Sequence, residues 1–222
     1  MKTKTLALAA AALTACVLTA SAQSNVYSLN IVGYVNVTIA PGYNMVANPL
    51  DDGNGNNSTN LVPANIQNGA QILTYDAVLG YSTFTKKSTG AWNASTAIPP
   101  GKGYFIRNTN AVVSYTNTYV GNVAGAVPGS LTNIIQPGYN LVGSLYPIGS
   151  GLTNTGSNTL NIGNVLANGS QLLTYDSVLG YSTFTKKSTG AWNGTTTVNV
   201  GQGFFARNTN AAPVTWIQNV GQ

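Results

Sequence analysis

The segment Asn68–Asn93 returns at Asn168–Asn193 with 23 of 26 positions unchanged. A chain with such an internal repeat folds as two copies of one unit. The match extends on both sides. Gly101-Lys102-Gly103-Tyr104-Phe105 pairs with Gly201-Gln202-Gly203-Phe204-Phe205, and Arg107-Asn108-Thr109-Asn110-Ala111 recurs at Arg207–Ala211. Pro41-Gly42-Tyr43-Asn44 pairs with Pro137-Gly138-Tyr139-Asn140 at a slightly shorter offset. The copies divide the chain into a leader at 1–22, a first repeat at 23–122 and a second at 123–222. A repeat of this length can hold its own core.

Each copy reads as short β-prone runs separated by Gly, Pro, Asn and Asp. In the first copy these are Val32–Ile39, Tyr43–Ala47, Gln71–Tyr75, Tyr81–Thr85, Tyr104–Arg107 and Val112–Val120. Only Leu61–Gln67 and Leu160–Ala167 suit a helical turn. The expected fold class is all-β: two tandem antiparallel modules, each a small sandwich or barrel. In the hairpin after Asp76, alternation puts Tyr81, Thr83 and Thr85 on one face and Ser82 and Phe84 on the other, with Phe84 turned inward.

The N-terminus points to export. Lys2 and Lys4 precede an apolar run from Leu6 to Ala20, and Ala20-Ser21-Ala22 offers small residues to a signal peptidase. The run is short for a membrane span, which needs about 20 apolar residues. No later stretch is apolar enough to span, so a secreted or cell-surface location is expected. Cys16 is the single cysteine and lies in a lipoprotein-like Leu-Thr-Ala-Cys box. Lipidation there is the lesser alternative, because the apolar run continues past it to a better cut site.

Composition removes several functions. Charged residues are 6% of the chain, with no His and no Glu, and the net charge of +5 falls once Lys2 and Lys4 are cut away. Nucleic acid is not an expected partner, since no dense basic stripe exists. His- and Cys-based nucleophilic sets and most zinc sites are excluded. Four carboxylates remain: Asp51, Asp52, Asp76 and Asp176. Asp76 and Asp176, one per copy, could suggest a shared-proton dyad. Val78 and Val178 stand where such enzymes carry Gly, and the expected role is to cap the local turn. Asp51–Asn57 has oxygen ligands at alternate positions but lacks the acidic residue that closes a calcium loop. No enzyme, cofactor or metal is expected.

The spacing of Pro-Gly-Tyr-Asn, Leu-Thr-Tyr-Asp and Gly-x-Gly-(Tyr/Phe)-Phe, with Val32–Val37 before them, resembles a module found repeatedly in uncharacterised exported proteins of environmental bacteria. The resemblance spans nearly all of the chain after the leader. It implies a secreted β module and carries over no functional residue.

Two functional expectations follow. The first is a non-catalytic structural or adhesive surface protein, with self-association through exposed strand edges. The second is a module binding neutral or anionic polysaccharide through hairpin aromatics and lysines: Tyr81, Lys86, Lys87 and Trp92, with Tyr181, Lys186, Lys187 and Trp192. Aromatic faces receive the apolar C–H face of a sugar, and lysines favour acidic sugars. The competing role for these residues is packing and edge protection.

Overall fold

The structure, a computed structural model, describes residues 32–125 and 127–221. The leader and Cys16 lie outside the described residues. Among the described residues the chain is all-β apart from a single helical turn, as expected. The first copy contributes β1 (Val32–Ile39), β2 (Gly42–Ala47), β3 (Gln71–Asp76), β4 (Gly80–Thr85), β5 (Gly103–Asn108) and β6 (Tyr115–Asn122). The second has β7 (Gly129–Ile135), β8 (Gly138–Gly143), β10 (Gln171–Asp176), β11 (Gly180–Thr185), β13 (Gly203–Asn208) and β14 (Val214–Val220) as their counterparts. It adds the short β9 (Ser150–Gly151) and β12 (Thr197–Val198), and α1 (Ile162–Val165).

Each copy builds a four-stranded antiparallel sheet, ordered β2-β5-β3-β4 or β8-β13-β10-β11, and a two-stranded ribbon, β1-β6 or β7-β14. The ribbon continues from the sheet: β1 runs into β2 and β5 into β6, with Ile39 opposite Tyr115 and Gly42 opposite Asn108. The double strand bends between these pairs and folds back over its own sheet. The bend explains the repeated motifs. Asn44 accepts from the Ala40 N–H at 2.9 Å and donates to the Ala40 carbonyl at 2.8 Å, clamping the chain around Pro41-Gly42. Asn140 does the same at Gln136, at 2.9 and 2.8 Å. Gly42 and Gly138 adopt φ of +88° and +85°, which L side chains resist. On the partner strand, Asn108 donates to Ile39 O and Val113 O, and Asn208 to Ile135 O and Ala212 O.

A hydrophobic core fills the space between ribbon and sheet in each copy. Ile39, Ile72, Ile106 and Tyr119 meet in the first, and Ile135, Leu172, Phe204 and Trp216 in the second. A buried carbonyl beside each core finds its donor by a different route. Leu61 O accepts from Tyr104 Oη at 2.8 Å and Asn117 Nδ2 at 2.9 Å. Leu160 O accepts from Trp216 Nε1 at 2.6 Å, since Phe204 has no hydroxyl.

The other face of each four-stranded sheet packs against the other copy. Met45, Phe105, Leu141 and Phe205 are buried there, flanked by Leu73, Tyr75, Tyr139, Leu173 and Tyr175. The contacts are reciprocal. Ala47 N–H donates to Gly201 O at 2.9 Å, and Gly143 N–H donates to Gly101 O at 2.9 Å. The copies are therefore related by a pseudo-twofold, as in an isologous dimer. Gly-x-Gly belongs to this seam. A Cβ on Gly203 would stand 2.6 Å from Val46 O, and one on Gly103 would stand 2.9 Å from Val142 N.

Candidate functional site

The pseudo-twofold collects an aromatic cluster at one margin of the seam. Alternation along β3, β4 and β5 sends Ile72, Phe84 and Ile106 to the core and leaves Tyr75, Tyr81 and Phe105 on the seam face. The second copy repeats this. Tyr75 meets Phe205 edge-to-face at 5.2 Å, and Tyr175 meets Phe105 at 5.5 Å, each reaching across to the other copy. Within each hairpin Tyr75–Tyr81 and Tyr175–Tyr181 pack at 5.0 Å.

Tyr81 and Tyr181 cap this cluster while staying 48% and 49% exposed. Partial burial raises both phenols above the ordinary tyrosine range. The pair forms a ridge with a cleft on each side. One cleft, of about 320 Å³, is walled by Tyr43, Leu73, Phe105 and Tyr175 beside the ridge. Its counterpart, of about 220 Å³, is walled by Tyr139, Leu173, Phe205 and Tyr75. Arg107 lies over the Tyr43 ring at 5.3 Å and Arg207 over Tyr139 at 5.6 Å, fixing these outer walls.

A larger groove carrying several polar side chains adjoins each cleft. The groove of about 660 Å³ shares Tyr75 and Tyr139 with one cleft and adds Asp76, Lys102 and Asn140. The groove of about 440 Å³ shares Tyr175 and Tyr43 with the other and adds Asp176, Gln202 and Asn44. Asp76 and Asp176 thus lie in separate grooves. Each Oδ1 accepts from two hairpin-tip N–H groups at 2.8 and 2.9 Å, at Val78 and Leu79 or at Val178 and Leu179. Those bonds hold both carboxyls below the ordinary range, the Leu79 or Leu179 N–H contributing most.

The structure divides the eight residues singled out from sequence. Tyr81 and Tyr181 come together on the ridge. Trp92 and Trp192 pack partly buried against the two cores, on the opposite sheet faces. Lys86 Nζ donates to Ile66 O at 2.7 Å and Ala64 O at 3.2 Å, and Lys186 Nζ to Leu166 O at 2.8 Å and Gly163 O at 3.0 Å. Lys87 and Lys187 are exposed at the turns after β4 and β11. The cleft walls Tyr43, Tyr139, Phe105 and Phe205 escaped the sequence reading, although their odd–even spacing from core residues marks them as facing elsewhere.

The loop around Asp51 directs its carboxylates inward. Asp51 Oδ1 accepts from Gly53 N and Asn56 Nδ2, and Asp52 Oδ1 from Asn54 N and Asn56 N. Among the described residues no cluster of three metal-ligating acids exists, and no helix is long and apolar enough to cross a membrane. No family model, curated protein or solved structure matches this chain.

Proposed function

We propose that this chain is a secreted, non-catalytic adhesive protein that binds extracellular polysaccharide in the two clefts beside the Tyr81–Tyr181 ridge. The observation that carries the reading is the duplicated cleft itself. Aromatic walls suit the apolar C–H face of a pyranose, and the adjoining Asp, Asn and Gln or Lys groups suit its hydroxyls. The leader pattern at 1–22 supports export, and the Asp76 and Asp176 carboxyls, engaged by their own turns in separate grooves, suit a binding role better than a shared-proton dyad.

Retention of the chain on insoluble and acidic polysaccharides tests this. Tyr81→Ala with Tyr181→Ala is expected to weaken retention at least tenfold while leaving the circular dichroism spectrum unchanged. Trp92→Ala with Trp192→Ala is expected to lower stability first. Retention that survives loss of both tyrosines overturns the assignment of the clefts. A second reading, self-association, is favoured by the outer strands β4 and β11, whose Tyr-Ser-Thr stretches are exposed and uncharged. Growth of large particles in light scattering, without glycan retention, would select it.

A further inference from the structure

We propose that the chain holds two polysaccharide segments at once, one on each side of the Tyr81–Tyr181 ridge, and so cross-bridges polymer strands. This rests on the glycan reading above and extends it from binding to bridging.

One cleft adjoins its groove at the shared walls Tyr75 and Tyr139, and a ligand spanning both would follow one track. The other cleft and groove share Tyr175 and Tyr43 and form a second. The ridge of Tyr81 and Tyr181 stands between the tracks and borders both. The pseudo-twofold that relates the copies therefore relates the tracks.

A glycan chain has direction, with distinct reducing and non-reducing ends. The pseudo-twofold passes between Tyr81 and Tyr181, so a strand crossing the ridge would enter one track toward the ridge and follow the other away from it. One strand laid across both tracks would match one half and meet the other backwards. Two separate strands, one in each track, satisfy both. Two sites on one rigid scaffold then link strands through effective concentration, without any new contact. Rigidity comes from the seam, with its reciprocal Ala47–Gly201 and Gly143–Gly101 backbone bonds.

The tracks are not identical. Lys102 lines one groove where Gln202 lines the other. Lys102 lies near enough to the Asp76 carboxylate to add to the lowering of its pKa. The track carrying Lys102 should therefore accept an acidic sugar better than its partner does.

The experiment titrates the chain with cellohexaose, chitohexaose and a mannuronate hexamer in a calorimeter. In parallel, beads coated with the corresponding polymers are mixed with the chain and their clustering is followed. The expected result is two hexasaccharides per chain for the best probe, with clustering of its beads. Tyr139→Ala and Tyr43→Ala should each reduce the stoichiometry to one and abolish clustering. Both substitutions together should end binding. One hexasaccharide per wild-type chain, or beads that bind the chain yet never cluster, overturns the bridging and leaves the glycan reading standing. Binding of no probe and retention on no bead takes down both.

Discussion

Substituting Gly203 by Ala isolates the seam. Gly203 is buried at the start of β13 and is not among the glycines with positive φ, so a Cβ adds contact without backbone strain. That Cβ would lie 2.6 Å from Val46 O, 3.1 Å from Val46 C and 3.2 Å from Met45 Cγ. Two of these atoms are backbone of the other copy, so no side-chain rotation relieves the overlap. Overpacking of this kind costs about 1–3 kcal/mol, and a backbone clash belongs in the upper half. The methyl returns about 0.4–1 kcal/mol by restricting the unfolded chain. The net loss is then about 1–2.5 kcal/mol, or roughly 2–10 °C in Tm at about 2–4 °C per kcal/mol for a chain of this size.

Gly194→Ala is the matched control. Its Cβ would make ordinary contact with Phe184 at 3.4 Å, and the first copy already has Ala94 in the equivalent place. It should melt at or slightly above wild type, by the same unfolded-state effect. Thermal unfolding followed by circular dichroism reads both variants. The seam holds Met45, Phe105, Leu141 and Phe205, each worth about 1.5–3 kcal/mol on burial. A single transition is therefore expected for all three proteins. If Gly203→Ala melts no lower than Gly194→Ala, the close approach of the copies at this glycine is refuted.

Other expectations concern the ridge, the turns and the cores. Lys86→Met should cost about 1 kcal/mol by stranding Ile66 O and Ala64 O, whereas Lys87→Met should be neutral in urea denaturation. Equal effects would remove the anchoring role given to Lys86. The Asp76 and Asp176 carboxyls sit below their ordinary pKa, so their contribution is full above the unfolded value near 3.8 and is lost as pH falls through the depressed folded value. Amide exchange at Val78, Leu79, Val178 and Leu179 should therefore accelerate only in strong acid, beyond the intrinsic pH trend. Tyr119 is pushed up to about 12 by burial, and Tyr104 is raised well above its ordinary 10.0 by the same cause. Their neutral forms stabilise the fold fully below the unfolded value near 10, and this is lost as pH rises toward the folded values. Tyrosinate absorbance should therefore show a late phase coincident with alkaline unfolding, which Tyr104→Phe shrinks.

The strands were legible because their alternation is strong. Val32–Ile39 is a strand over the expected span. The run expected from Val112 instead begins at Tyr115. Asn110 Oδ1 accepts from the Val112 and Val113 N–H groups, and Asn108 binds Val113 O, so side chains hold these residues in a turn. A β-branched run carries no sign of that competition. The site was legible only in part. Tyr81 and Tyr181 line the clefts, but sequence proximity grouped them with Trp92 and Lys86, which lie on the opposite sheet face or reach back to loop carbonyls. Gly103 and Gly203 read as turn glycines, whereas their neighbours across the seam explain them. Packing between copies leaves only a weak local pattern, the odd–even spacing of residues such as Phe105 from the core, because each sheet is apolar on both faces.

Burial also changes what the repeat itself means. Within Asn68–Asn93 the copies differ at three positions: Ala70/Ser170, Ile72/Leu172 and Ala77/Ser177. The first two pairs are fully buried, and the third is exposed next to the hairpin tip. The stretch from Val78 to Asn93 is identical in the two copies, although Val78 is 90% and Leu79 84% exposed. Exchanges at such exposed sites usually shift stability by less than about 0.5 kcal/mol, so folding alone would let them drift first. Outside the segment the cores have drifted together. Tyr104, Ile106, Asn117 and Tyr119 face Phe204, Ala206, Trp216 and Gln218 at matching places, and each set keeps a donor on its buried leucine carbonyl. Copying of one repeat onto the other would erase buried and exposed differences alike. On the binding reading proposed above, the identity of Val78–Asn93 follows from what that exposed stretch touches, since it includes the hairpins that carry Tyr81 and Tyr181.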